Sequence, residues 1–503
     1  MVEVSAPRRA PEMKMGHESV LTFAGIVANA GIAFVVTWLI ARGLGADATG
    51  AFFLLTALFM IATAVIGLGA DTGLVRALSR ARAVGEREHL RPTVRTALLP
   101  VITLGVLVTG ALLVVAGPLA AWLAPGEGAA PTIRLLALAL LPAALTGILL
   151  AGSRGLGRIR TYTLVQNLFI PLCRLALVGA VIGLLGTTWS VVGAWAAPLF
   201  LAVVIAGLTL RVQLRAEAGP AAPLPRGEQT VVARRFWAFS LPRGATIILE
   251  RALDWADVLL VIALMGPGAG GVYGVVTRIV QAGNMLEAAL RIVLGPRISA
   301  AIAQEDQARA ESLYRQATQL LILGSWPFYL AIALFADVVL GMFGAEFTLG
   351  TVALVVLASA MALKNTAGAL QTVLLMAGRS TWQLRNKAIQ LLVLLALMPV
   401  LVPWWGMNGA ALAFAFSIVI DTLLAGSQVH RSLGFAVPLR TVLVTAALPA
   451  LIVIGGSVLV RLLAADSGAL LQLCALAAVL AVYGLALLAA HRRGALLDER
   501  AQS

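Results

Sequence analysis

Arg42-Gly-Leu-Gly-Ala-Asp-Ala-Thr-Gly-Ala-Phe52 returns later in the chain as Ala263-Leu-Met-Gly-Pro-Gly-Ala-Gly-Gly-Val-Tyr273. Gly45, Gly50 and Phe52 of the first align with Gly266, Gly271 and Tyr273 of the second, each pair 221 residues apart. The same offset carries Arg76 onto Arg297 and Gly157-Arg158 onto Gly378-Arg379. One such match in a glycine-rich chain means little, whereas a constant offset over this length marks a duplicated structural unit. Each connection lies between two long apolar stretches, so each reads as a tight helical hairpin. Gly45 and Gly266 would supply the positive φ that a helix C-terminus often needs. On this reading the glycines are turn chemistry.

The stretches around the hairpins are as apolar as the rest of the chain. Of 503 residues, 60% are hydrophobic and 12% charged, with a mean hydropathy of +0.96, a balance that a water-facing surface does not tolerate. A hydrocarbon core of about 30 Å needs roughly 20 apolar residues per helix. Fourteen such spans fit between the charged clusters: 18–42, 48–70, 94–118, 132–152, 161–186, 188–210, 238–265, 269–294, 316–338, 349–376, 383–403, 406–429, 440–462 and 468–490. None alternates with period 2 as a barrel strand would, so all are read as helices whose backbone groups are satisfied internally. The expected fold is an all-α integral membrane protein with about fourteen transmembrane helices.

The net charge of +14 does not point to nucleic acid, because the basic residues mark one side of a membrane. With the N-terminus in the cytoplasm, Lys and Arg concentrate in the two tails and the even-numbered connections, leaving Arg42, Arg134 and Arg461 on the opposite side. This positive-inside pattern places both termini in the cytoplasm. Met1–Gly16 precedes an apolar run too long for a signal-peptide core, so the segment is expected to stay attached. Trp38, Trp122, Trp189, Trp404 and Trp405 lie near span ends, as interfacial anchors do. Cys173 and Cys474 both fall in spans and offer no disulfide framework or metal-ligand spacing.

Spans 1–6 and 7–12 then form two pseudo-symmetric six-helix lobes of the same orientation. The expected organisation is a cytoplasmic tail 1–17, a first lobe 18–214, a linker 215–235 containing Gly219-Pro220, Pro223, Pro225 and Gly227, a second lobe 236–433, an extra pair of helices in 434–491 and a cytoplasmic tail 492–503. There is no G-x-x-x-x-G-K-[ST], H-E-x-x-H or C-x-x-C, and no long outer loop to carry a catalytic carboxylate pair. An enzyme is the weaker class. Two copies of a helical unit without an energy-coupling domain are the layout of an alternating-access transporter.

Span 7 contains Ser240-Leu-Pro-Arg-Gly-Ala-Thr-Ile-Ile-Leu-Glu-Arg-Ala-Leu-Asp-Trp-Ala-Asp-Val258. At about 100° per residue, Arg243, Glu250, Asp254 and Asp257 share one face, with Arg251 on its flank. Each such charge near a bilayer centre costs about 2.5–3.5 kcal/mol on insertion scales, so the face must see protein or water. A structural reading exists: Glu250 or Arg251 pairing with Asp254, Arg243 snorkelling, and Glu287 with Arg291 as an i,i+4 pair. The repeat weighs against it. Subtracting 221 sets Arg243, Glu250, Arg251, Asp254, Asp257 and Arg278 opposite Thr22, Asn29, Ala30, Ala33, Val36 and Ala57, so the first copy builds the same unit without these charges. Arg243, Arg251 and Arg278, with Lys364 in second rank, are therefore expected to line a central cavity and bind an anionic headgroup. Glu250, Asp254, Asp257 and Asp421 are the candidates for holding a coupling proton or Na⁺, and Asn29, Gln166 and Asn167 for further polar positions in the cavity. Arg174 is read as structural, and no resident cofactor or metal is expected.

Ile40-Ala-Arg-Gly-Leu-Gly-Ala-Asp-Ala-Thr-Gly-Ala-Phe52 followed by Gly67-Leu-Gly-Ala-Asp-Thr-Gly-Leu-Val-Arg76 resembles the opening two helices of bacterial polysaccharide flippases. These are the O-antigen and teichoic-acid export proteins of the multidrug/oligosaccharidyl-lipid/polysaccharide superfamily. The Gly266–Tyr273 hairpin and Pro296-Arg297 resemble the second-lobe counterpart, and the resemblance covers residues 18–430. It implies a V-shaped, two-lobed transporter in the bacterial cytoplasmic membrane that flips undecaprenyl-diphosphate-linked oligosaccharide. A polysaccharide polymerase and glycosyltransferases would be its partners, and cavity arginines would meet the diphosphate. A cation-coupled multidrug exporter and a lipid II flippase are the alternatives. Fourteen spans favour the flippases over the drug-extruding branch, and span 1 lacks the internal arginines of lipid II flippases.

Overall fold

The computed structural model describes residues 17–123, 128–218, 225–435, 439–464 and 467–492, all of whose regular elements are helical. Residues 1–16 and 493–503 of the expected tails, and 219–224 of the expected linker, lie outside the described residues.

The two hairpins form as glycine breaks between helices. His17–Gly67 runs as one helix except at Gly45, where φ 80° and ψ −178° turn the chain back on itself. Ala33 and Val36 on one arm consequently share a cavity wall with Phe53, Thr56 and Met60 on the other. Gly266 makes the matching break between Arg226–Met265 and Pro267–Ala282 with φ 92°. Pro267 opens the second of these helices, where its missing N–H costs nothing. Gly157 and Gly378 repeat the correspondence with φ 76° and 74°, so the sequence offset is also an offset in backbone geometry.

Gly50 and Gly271 are not turn residues, a correction to the sequence reading. Both sit inside helices, and each lies against the other's chain. A Cβ on Gly50 would fall on the Pro267 carbonyl oxygen and 3.0 Å from the Gly271 nitrogen, and one on Gly271 would fall on the Ala46 carbonyl oxygen and 2.8 Å from the Gly50 nitrogen. The two hairpins thus dock main chain to main chain. Around them the Glu346 carboxylate accepts the Ala46 N–H at 2.7 Å, and Trp38 Nε1 donates to the Met342 carbonyl at 3.0 Å. At the other end of the helices Gly69 and Gly244 touch in the same way: a Cβ on Gly244 would lie 2.6 Å from the Leu68 carbonyl carbon and 3.0 Å from the Gly69 nitrogen. The halves therefore meet at both ends. The Gly69 end carries the arginine-rich connections and is called here the basic end; the Gly50 end is the far end.

Among the described residues ten helices are long and apolar enough to cross a membrane, and the fold is an all-α integral membrane fold. Two of the ten, Ala24–Gly67 with 44 residues and Thr381–Leu433 with 53, exceed by far the roughly 20 residues of one crossing. Gly45 divides the first and Gly406, with φ 55°, divides the second. Arg226–Met265 is absent from the ten because of its charges. Span 8, expected to be continuous, is split at Gly283 into Pro267–Ala282 and Asn284–Ala303. Apolar length alone merges the two arms of each glycine break into one helix.

Three further expectations need revision. The linker 215–235 is helical at both described ends, since Pro198–Ala218 and Arg226–Met265 run into it. Span 10 stops at Thr366 and restarts as Leu370–Met376. Gly368 between the two pieces has φ 75°, and the Tyr314 hydroxyl donates to the freed Ala367 carbonyl at 2.6 Å, as a backbone break at membrane depth requires. At the break in span 8 the Tyr329 ring occupies the place of a side chain at Gly283, its hydroxyl donating to Asn284 Oδ1 at 3.3 Å.

Spans 13 and 14 pack on span 9. Val442 and Ala446 cluster with Ile322, Leu476 clusters with Ala331 and Phe335, and the Tyr483 hydroxyl donates to the Leu323 carbonyl at 2.6 Å. The Arg461 guanidinium hydrogen-bonds the Asp337 carboxylate.

Candidate functional site

The charged face of span 7 opens on a cavity of about 530 Å³. Glu250, Arg251, Asp254, Trp255 and Asp257 from span 7, Arg278 and Gln281 from span 8, Lys364 from span 10, Lys387 and Gln390 from span 11 and Asp421 from span 12 all line it. Two smaller spaces adjoin it. One of about 200 Å³ shares Met60, Trp255 and Arg278 with it and is lined also by Asn29 and Arg174. The other, about 300 Å³, shares Met60 and Arg251 and is lined by Gln166 and Arg174. The three meet at Met60, between the halves of the chain.

Most of the charges are paired. Arg251 contacts Asp254 at 3.3 Å, Arg243 contacts Glu250 at 3.5 Å, Lys387 donates to Asp421 Oδ2 at 2.8 Å, and Lys364 donates to Glu287 Oε2 at 2.8 Å. Glu287 also receives Arg291 at 3.5 Å, so Lys364 is held by a carboxylate. Arg243 is not among the residues lining this cavity; it pairs with Glu250 two turns along the helix. Asn167 is buried with its Nδ2 lacking a partner and lines none of these spaces. Arg174 donates Nε to the Trp195 carbonyl at 2.9 Å and lies 3.8 Å above that indole ring.

Two groups stand apart. Arg278 has no carboxylate within ion-pair distance among the described residues. Its Nη1 donates to Gln281 Oε1 at 2.8 Å, its guanidinium lies 3.8 Å above the Trp255 ring, and its Nη2 has no partner. Asp257 is 2% exposed, and its Oδ1 accepts the Val258 N–H at 2.8 Å. An indole face stabilises a guanidinium without consuming its N–H donors. Arg278 is thus a fixed cation with donor capacity to spare, and Asp257 a buried carboxylate without a cation of its own.

Lys387, Gln390 and Gln281 escaped the sequence reading. Lys387 sits near the start of span 11. The signal was available: Lys387 and Asp421 lie on the two arms that meet at Gly406, at comparable distances from it. Gln371 Nε2 completes their group, donating to both Asp421 oxygens at 3.2 and 3.0 Å. Asp421→Ala strands Lys387 beside a low-dielectric wall and is expected to cost about 3 kcal/mol of stability, read as a lower melting temperature in detergent. Lys387→Met combined with Asp421→Leu should recover most of it.

The geometry has counterparts among known proteins. A lipid II flippase solved in an inward-closed conformation superposes with a TM-score of 0.71 at 12% identity, covering 93% of this chain and 97% of that one. An inward-facing multidrug-resistance transporter of the MATE family, in the MOP superfamily, gives a TM-score of 0.66 at 17% identity over 84% of this chain and 96% of that one. At such identities the likeness is one of fold. A probable low-salt glycan biosynthesis flippase of Haloferax volcanii is 26% identical over 179 residues, which span 34% of this chain and 36% of that protein. The model of the family described as "Polysaccharide biosynthesis protein" matches residues 16–302, more than half of the sequence and the whole stretch that carries both glycine hairpins. The chain belongs to the polysaccharide biosynthesis protein family.

Proposed function

We propose that the chain is a flippase that moves undecaprenyl-diphosphate-linked oligosaccharide from the leaflet at its basic end to the opposite leaflet by alternating access. The observation that carries this reading is Arg278, held over Trp255 at the junction of the cavities with an N–H unspent. A planar fork of donors in a partly dry site suits phosphate oxygens. Arg251, released from Asp254 by a competing anion, would be its partner across the junction. Asp257 is the candidate for the coupling proton or Na⁺, since every other carboxylate lining the main cavity has a cation within 3.5 Å. The positive-inside pattern supports a cytoplasmic position for the basic end and both termini.

Purified protein in vesicles should translocate a fluorescent undecaprenyl-diphosphate oligosaccharide, and glycosyl transfer by the same preparation with no translocation would overturn the proposal. Asp257→Asn should leave binding of the labelled substrate within about threefold and abolish the response to an imposed proton or Na⁺ gradient. A gradient response that persists in that variant removes Asp257 from coupling.

A further inference from the structure

A separate cavity of about 390 Å³ opens on the outer surface of the first half, between the basic ends of spans 3, 4 and 6. Its walls are apolar, from Val94, Leu98, Leu149 and Leu210, and its mouth carries Arg91, Arg211 and Arg215. It shares no lining residue with the three cavities around Met60. At about 1.5 Å per residue, Leu98 lies roughly 10 Å below Arg91 and Gly207 roughly 12 Å below Arg215, so the space is a trough running from charge into hydrocarbon. Gly207 leaves it open, because a Cβ there would approach nothing nearer than Leu149 Cδ1 at 3.8 Å. Leu99, Val204 and Leu208 on the flanking faces are more than half exposed, as side chains that face lipid are.

The three arginines converge with no carboxylate to explain them. Among the described residues none has an acidic partner, and Glu217, the acid on the same arm of span 6, is taken by Arg82 at 3.6 Å and Arg158 at 3.9 Å. Clustered arginines that repel one another at the membrane surface are stabilised by an anion, and an apolar trough leading down from them is filled by a chain. We propose that this trough binds an anionic phospholipid of the leaflet at the basic end, with its phosphate on Arg91, Arg211 and Arg215 and one acyl chain between spans 3, 4 and 6. The occupant is a membrane phospholipid and not the transported molecule. The lining offers no hydroxyl or amide to a sugar, and the space does not communicate with the charged cavities.

Full-length protein is reconstituted in vesicles of equal parts phosphatidylglycerol and phosphatidylcholine, extracted in detergent, and weighed with its retained lipid by native mass spectrometry. The wild type is expected to retain phosphatidylglycerol over phosphatidylcholine by about tenfold or more, and Arg91→Gln/Arg211→Gln/Arg215→Gln to lose that preference. Gly207→Leu keeps every charge and fills the trough, so it should lower phosphatidylglycerol retention by about tenfold through exclusion of the chain. Equal retention of the two lipids by the wild type overturns the proposal, as does retention unchanged in both variants. So does displacement of phosphatidylglycerol by lipid-linked oligosaccharide when both are supplied. A triple variant that does not fold leaves Gly207→Leu and the wild-type lipid preference to decide.

Discussion

Arg278→Ala is expected to lower transport of lipid-linked oligosaccharide by about 10²–10⁴-fold with little change in membrane abundance. The size follows from what the guanidinium would give a diphosphate. Two charge-assisted hydrogen bonds at about 1.5–3 kcal/mol each total roughly 3–6 kcal/mol, and each 1.4 kcal/mol is about tenfold. The protein itself loses less, because the group ties down Gln281 and the Trp255 face, with Phe53 further off at 5.8 Å. Arg278→Lys separates charge from geometry. An ammonium keeps the positive charge but not the planar fork, so it should restore only part of the rate. Transport in vesicles, with the melting temperature as a fold control, reads both variants; a full rate in Arg278→Ala would remove this residue from the substrate site.

Gly50→Leu should hold the far end of the molecule open. Overpacking a side-chain interior costs about 1–3 kcal/mol because neighbours can turn aside. Here the obstacle is the main chain of Pro267 and Gly271, which cannot rotate away without moving its helix. The halves must part. Thr56, buried on the adjoining cavity wall, reports the opening. With Cys173 and Cys474 changed to Ala, Thr56→Cys should react slowly with a membrane-impermeant maleimide, and about 10²-fold faster once Gly50→Leu is added, the factor for a shift of about 3 kcal/mol. Gly244→Leu, which meets Leu68 and Gly69 at the basic end, should expose the same cysteine from the other side. Transport should fall in both, because each blocks one half of the cycle. Gly110→Leu, at a glycine with open space around it, should change neither labelling nor rate. Unaltered labelling in Gly50→Leu would show that the hairpins part by another route.

The candidate site was legible from sequence wherever charge at membrane depth is rare enough to stand out. Glu250, Arg251, Asp254, Asp257 and Arg278 were found from helical spacing and from their absence in the first repeat, and the structure sets them around one cavity with Lys364 and Asp421. What spacing does not show is pairing between helices. Lys364 reads as a free cation until Glu287 is found 2.8 Å away on another span, and nothing along span 11 marks Lys387 until span 12 brings Asp421 to it. Arg243 belongs to the same helical face yet spends its charge on Glu250, seven residues along, instead of lining the cavity.

The fold class, the glycine hairpins and the duplicated unit were determined by the sequence itself. Apolar length, positive φ at glycine and a constant offset are local properties of a chain in lipid. Tertiary structure alone decided which glycines are turns and which are contacts. Gly45 and Gly50 lie in one short connection, but the first bends its own helix and the second admits the backbone of a hairpin 221 residues away. The same holds for charge. Arg278 and Asp257 are distinguished from their neighbours by having no ion pair among the described residues, and a partner is a matter of position in space that no spacing along one helix encodes.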